Sequence, residues 1–178
     1  MKIELLIEKI LFPTNVAIIG GILLILYKIN STFALNDIII FLSSIILYGL
    51  LRIFTKTKIK SETKKYSIPS LIAMLCFVIM SVLLPASKEF LLGALALLFI
   101  VIIAHIIRDL WKLSGHAMTY TSFSVILTLI DLRFVFLFIL LPVVVWSRLK
   151  LKRHTKDQVL VATLVGFIIP SLIFLLFL

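Results

Sequence analysis

The sequence predicts an all-α, polytopic transmembrane helical bundle of six to seven spans, forming a single membrane domain over residues 1–178. Three observations carry that expectation. Apolar residues make up 62% of the chain and charged ones 15%, and the mean hydropathy is +1.26, which leaves too few polar side chains to clothe a soluble fold. Apolar runs of roughly 20 residues recur along the chain, each long enough as a helix to cross a hydrocarbon core about 30 Å thick. The runs are continuous in Leu, Ile and Phe rather than alternating over about ten residues, so they read as helices and not as barrel strands.

Taken in order, the candidate spans lie near 12–29, 35–54, 67–84, 89–107, 116–131, 133–147 and 157–178. The first follows Lys2 and Lys9, as a signal peptide would, but its apolar part is long and no small-residue cleavage pattern follows it, so it is expected to be retained. A basic loop, 55–66, separates the second span from the third. The fifth and sixth are short and joined only at Asp131-Leu132-Arg133, which predicts a tight antiparallel hairpin. The lone cysteine, Cys76, sits inside an apolar run, which excludes a disulfide framework and a thiolate metal site. Nothing in the sequence points to a cofactor.

A formal charge of +10 would suggest a nucleic-acid partner in a soluble protein, but here the charges sit between spans. Seven spans place the loops alternately on two sides. One side then holds 15 of the 18 Lys and Arg residues, and the other only Lys28, Lys88 and Arg133. The positive-inside rule makes the first side cytoplasmic and puts the N-terminus there. The expected partners are the membrane and its anionic headgroups, not nucleic acid; oligomeric state is not legible.

The same alternation brings two polar segments to the cytoplasmic side, 108–116 and 147–158. His116 and His154 each stand just ahead of an apolar run, hence at a helix N-terminus, where free N–H groups and a partial positive charge favour an anion. Arg148 adds a planar fork for two phosphate oxygens, and Ser114-Gly115 lets backbone come close. His105, Arg108, Asp109, Lys112 and His116 would form one stripe if the fourth helix ran on past the membrane.

Ser114-Gly115-His116, followed after a hairpin partner by Ser147-Arg148, five residues and His154, resembles the type 2 phosphatidate phosphatase superfamily of membrane lipid phosphatases. His154-Thr155 with Gln158-Val159 is similar to its polyprenyl or dolichyl diphosphate phosphatase branch. The resemblance covers about residues 105–170. No Lys-x6-Arg-Pro motif precedes Ser114, the proline before Ser-Gly-His is absent, and Gln158 stands where the family has aspartate. The resemblance implies a metal-independent, cofactor-free hydrolysis of a phosphate or diphosphate headgroup, with a polyprenyl lipid as substrate. His154 would be the nucleophile, passing through phosphohistidine, and His116 the general acid. Arg148, Arg108, Lys112, Ser114 and Gly115 would bind the phosphate, and Gln158 would orient His154.

Other readings stand beside these. Thr155 and Gln158 match a capping box, so Gln158 either orients His154 or starts a helix. His105 reads rather as an interfacial histidine than a catalytic one, and Trp111 and Trp146 as interfacial anchors rather than substrate platforms. A diacyl or dialkyl phosphatidate is the alternative substrate. A small transporter is opposed by the scarcity of midspan ionisable residues, and a non-enzymatic scaffold is favoured only by the missing first motif.

Overall fold

The computed structural model describes residues 3–27, 29–58, 64–107 and 111–178, and their side chains except within 56–67. Arg108, Asp109 and most side chains of the basic loop 55–66 therefore lie outside the described residues. Those described form helices and turns, without a strand among them. The helices are α1 (Ile3–Ile10), α2 (Pro13–Tyr27), α3 (Ala34–Lys58), α4 (Lys64–Leu83), α5 (Lys88–Ile107) and α6 (Gly115–Ile130). A 3-10 helix (Leu132–Leu140), α7 (Leu141–Lys150) and α8 (Lys156–Phe177) complete the chain.

Four stretches are long and apolar enough to cross a membrane: Ala34–Thr55, Lys88–Ile107, Leu132–Lys150 and Lys156–Phe177. A fifth is made by α1 and α2 together, bent by 53° where the chain turns into Pro13. Proline opens α2 without cost because a first-turn N–H has no intrahelical partner, yet its ring prevents α1 from running straight on. Of the seven expected spans, the third and fifth correspond to α4 and α6, which do not meet the same test of length and apolarity. The large side chains turned outward are apolar: Ile39, Ile46, Leu50 and Ile53 along α3, and Leu160, Leu164, Phe167 and Leu175 along α8. Such faces suit lipid rather than water.

The core is built around two parallel helices, α6 and α8. Ala117 and Met118 at the start of α6 pack with Val159 and Ala162 at the start of α8, while Ile126 meets Ile173 and Phe174 near the other end. The helix α5 lies antiparallel to both, with Ile100 in the first cluster and Leu92 and Ala96 in the second. Small residues permit the α6–α8 crossing: Ala162, Gly166 and Pro170 are buried at four-residue spacing. Apolar burial does little to hold helices together in lipid, so close backbone approach and satisfied polar groups must do it. Thr121, Ser122 and Ser124 face this interior, and each hydroxyl donates to the carbonyl four residues earlier, at 2.7–3.0 Å.

The joint at Asp131 is as tight as expected, with this residue alone between α6 and the 3-10 helix. Its carboxylate accepts from the Arg133 backbone N–H at 2.8 Å and from the Arg133 guanidinium at 2.7 Å, and the guanidinium lowers its pKa to about 2. The Tyr120 hydroxyl donates to the Leu137 carbonyl, tying α6 to the segment that doubles back beside it. At that same end of the bundle, buried Asp37 of α3 accepts from the N–H and hydroxyl of Ser87, capping α5 from a neighbouring helix.

A Cβ added at Gly166 would lie 2.5 Å from the Met118 carbonyl oxygen and 3.1 Å from the Thr121 Cβ, and neither neighbour is a flexible tip. Gly166→Ala should therefore push α6 and α8 apart at a cost of about 1–3 kcal/mol. Thermal unfolding of detergent-solubilised protein is the check, with Gly49→Ala as control, since a Cβ there meets nothing within 4 Å; equal midpoints for the two variants would contradict the packing.

Candidate active site

Parallel packing of α6 and α8 has a direct consequence for the two histidines. Each stands at the N-terminal end of one of these helices, so both arrive at the same end of the bundle, together with the C-terminal ends of α5 and α7. Two helix dipoles thus present their positive ends to one place. Ser114 begins α6 as its N-cap, fully buried, in an extended backbone conformation, with its Oγ accepting from the Ala117 N–H. This cap corrects the expected stripe from His105 to His116. Residues 111–114 are not helical, so Lys112 and His116 do not continue one helical face from His105, while Arg108 and Asp109 lie outside the described residues. A serine that bonds its own downstream N–H gives the backbone an alternative to continuing the previous helix.

Five residues separate Arg148 from His154, and the turn between them explains that spacing. The Arg153 N–H donates to the Arg148 carbonyl at 3.2 Å and the Lys152 N–H to the Leu149 carbonyl at 3.0 Å. Lys152 sits between them in the left-handed region, at φ 51°. This is a Schellman turn with lysine where glycine is usual, and it closes α7 and swings His154 back over the start of α8. Thr155 then caps α8. Its Oγ1 accepts from the Gln158 N–H and the Gln158 Oε1 accepts from the Thr155 N–H, so the capping box is formed. Gln158 thus starts α8, and its side chain is also near enough to the His154 imidazole to favour the protonated ring.

The geometry around His154 settles which nitrogen is free. Its Nδ1 lies 3.2 Å from the Lys112 backbone carbonyl, and a carbonyl only accepts, so the bond requires the proton on Nδ1. The lone pair is then on Nε2, the arrangement a nucleophile needs. Burial is the largest influence lowering the His154 pKa below the ordinary histidine value, and the positive charges of Lys112 and Arg148 act in the same direction. The Lys112 carbonyl and the Gln158 side chain pull the other way without reversing it. The Lys112 side chain itself is exposed at the rim.

Arg148 is the largest fully buried side chain of the described residues, at 1% exposure. Its Nη1 donates to Glu8 Oε1 at 3.0 Å, its Nε donates to the Ser147 hydroxyl at 3.3 Å, and its Nη2 has no protein partner among the described residues. A buried guanidinium paired with one carboxylate and holding one unpaired edge can donate from that edge to acceptor oxygens of an anion. His116 is beside it: Arg148, Glu8 and His154 all act on its ring electrostatically, its Nε2 is buried without a partner, and Phe12 packs edge-on at 5.5 Å.

Glu8 is the residue that sequence reading missed. It belongs to α1, and only the bend before Pro13 turns that helix across the site and against α7. Its one visible signal is a carboxylate on the amphipathic first segment, next to Lys9. The structure thus brings together His116, His154, Arg148, Ser114, Gly115, Gln158 and the Lys112 carbonyl, and adds Glu8. Trp111 and Trp146 are both partly exposed. Among the described residues no three His, Cys, Asp or Glu side chains gather as a metal's ligands would. No protein-family profile matches the chain, and neither a curated protein nor a solved structure matches it.

Because the folded environment disfavours the His154 imidazolium, the unfolded chain binds the extra proton first. Acidification through about pH 6.5 should therefore cost stability and leave the folded imidazole neutral to a lower pH. Gln158→Glu keeps the capping box but sets a charge beside the ring, which should move the His154 titration upward. Histidine NMR titration of both proteins is the measurement; an unchanged titration with unchanged stability would leave Gln158 a cap and nothing more.

Proposed function

We propose that this chain is an integral membrane lipid phosphatase that hydrolyses a phosphate or diphosphate headgroup, with a polyprenyl lipid as its substrate. The single observation that supports the reading most is buried Arg148, with an unpaired Nη2, near enough to act electrostatically on both histidines at the N-termini of the parallel helices. The residues are those of the resemblance to the type 2 phosphatidate phosphatases, and their arrangement suits the chemistry.

In this mechanism His154 Nε2 attacks phosphorus in line with the scissile P–O bond, forming a P–N bond as the P–O bond breaks. His116 must carry a proton here despite its burial beside Arg148, and it delivers that proton to the departing oxygen. Water then attacks phosphorus, His116 takes the water's proton, and the P–N bond breaks to release phosphate and restore His154. Arg148 and the N–H groups at the start of α6 hold the equatorial oxygens, where charge builds up. Glu8 keeps the guanidinium in position. The Lys112 carbonyl and Gln158 do for the imidazole what aspartate does elsewhere in the superfamily, without a full charge.

His154→Ala should abolish phosphate release from prenyl phosphates in detergent. His116→Ala should lose about 10²–10⁴ in rate, least for substrates with good leaving groups. Arg148→Lys should be severely impaired, since an ammonium cannot reproduce a bidentate fork. Activity should survive EDTA. Wild-type rates in the His154 variant would remove the assignment.

We also place six to seven spans in the membrane, with α4 and α6 crossing alongside the longer helices, and the active-site end facing the cytoplasm. With Cys76 replaced, single cysteines at Ser61 and Lys152 should be shielded from an impermeant thiol reagent in right-side-out vesicles, and one at Lys88 should react. The reverse pattern would put the site on the outer face.

A further inference from the structure

A cavity of about 500 Å³ runs down the bundle between α2, α3, α4, α5 and α6. His154, Lys112 and Gly115 line its site end, while Arg148 and His116 stand outside its lining. Along α5 it is followed by Phe90, Ala94, Leu97, Val101 and His105, a single helical stripe. From Phe90 to His105 is fifteen residues, or about 22 Å of helix. At the far end Phe77 and Phe90 meet edge to face, with ring centroids 5.2 Å apart, and close the floor. The walls are almost wholly apolar below the site end.

The length of this stripe says what fits. An extended chain advances about 1.2 Å per bond, as a polypeptide does, so 22 Å holds roughly 18 carbons in line. Resting on the phosphatase reading, we infer that this cavity seats a lipid tail of about 15 to 20 carbons, three to four isoprene units, with the headgroup at His154 and the tail's end at the Phe77–Phe90 floor. Beyond that length further tail gains no protein contact.

The test uses the full chain in detergent with prenyl monophosphates of 5, 10, 15, 20 and 55 carbons and a dipalmitoyl phosphatidate. A photoreactive farnesyl alcohol, which carries no phosphate, reports tail binding separately. In the wild type, kcat/KM should rise at least tenfold from C10 to C20 and stay level to C55, with the phosphatidate at least tenfold below C20. Leu97→Trp, which fills the cavity halfway down, should move the optimum to C10 or shorter and abolish photolabelling of residues near Phe90. Phe77→Ala, where it folds, should extend the rise beyond C20. A chain-length profile identical in wild type and Leu97→Trp, or photolabel only on the outer faces, would overturn the inference while phosphate release continued. Photolabel on the cavity walls without phosphate release from any substrate would uphold the cavity's role and overturn the phosphatase reading.

Discussion

Everything at the candidate site depends on the closeness of α6 and α8. Two parallel helices in one bundle need an antiparallel segment between them, and the 3-10 helix with α7 supplies it in the smallest space the chain allows, returning from Asp131 to Arg148. Gly166 against the Met118 carbonyl sets the depth of the crossing. Without that contact the two N-termini would separate, and neither histidine would feel the other or the Arg148 guanidinium.

The polar groups of the interior are arranged sparingly. In an apolar medium each unsatisfied hydroxyl or amide is costly, and the hydroxyls of Thr121, Ser122 and Ser124 are settled locally on their own helix. The unsatisfied atoms at the site end fall on side chains a reaction would use, Arg148 Nη2 and His116 Nε2, together with His105 Nδ1 at the cavity. The hydroxyls of Ser31 and Thr128 are buried without partners as well, so what sets the atoms at the site apart is that they belong to ionisable side chains. Glu8 moderates the cost of burying Arg148, because a lone buried guanidinium would oppose folding by several kcal/mol.

Much of this was legible in the sequence. Apolar runs gave α5 and α8 to within one residue and α3 to within four, and Asp131 marked the hairpin because a short polar break between two apolar runs leaves no room for a loop. The order Ser-Gly-His, hairpin partner, Ser-Arg and His was legible too, since it follows from local caps and turns. What escaped reading was of two kinds. The stripe from His105 to His116 failed because periodicity carries no information about Ser114 taking its own cap. Glu8 escaped because it lies 140 residues from Arg148, and only the bend at Pro13 determines where α1 goes. Long-range pairing of this sort leaves no pattern in a single chain.

The placement of α1 changes the meaning of the chain's first dozen residues. By composition they look like a leader, a charged and greasy stretch that could be trimmed or extended freely. In the folded protein Glu8 of this segment stands against Arg148 and Phe12 against His116. A substitution at either position therefore acts at the charged centre of the protein.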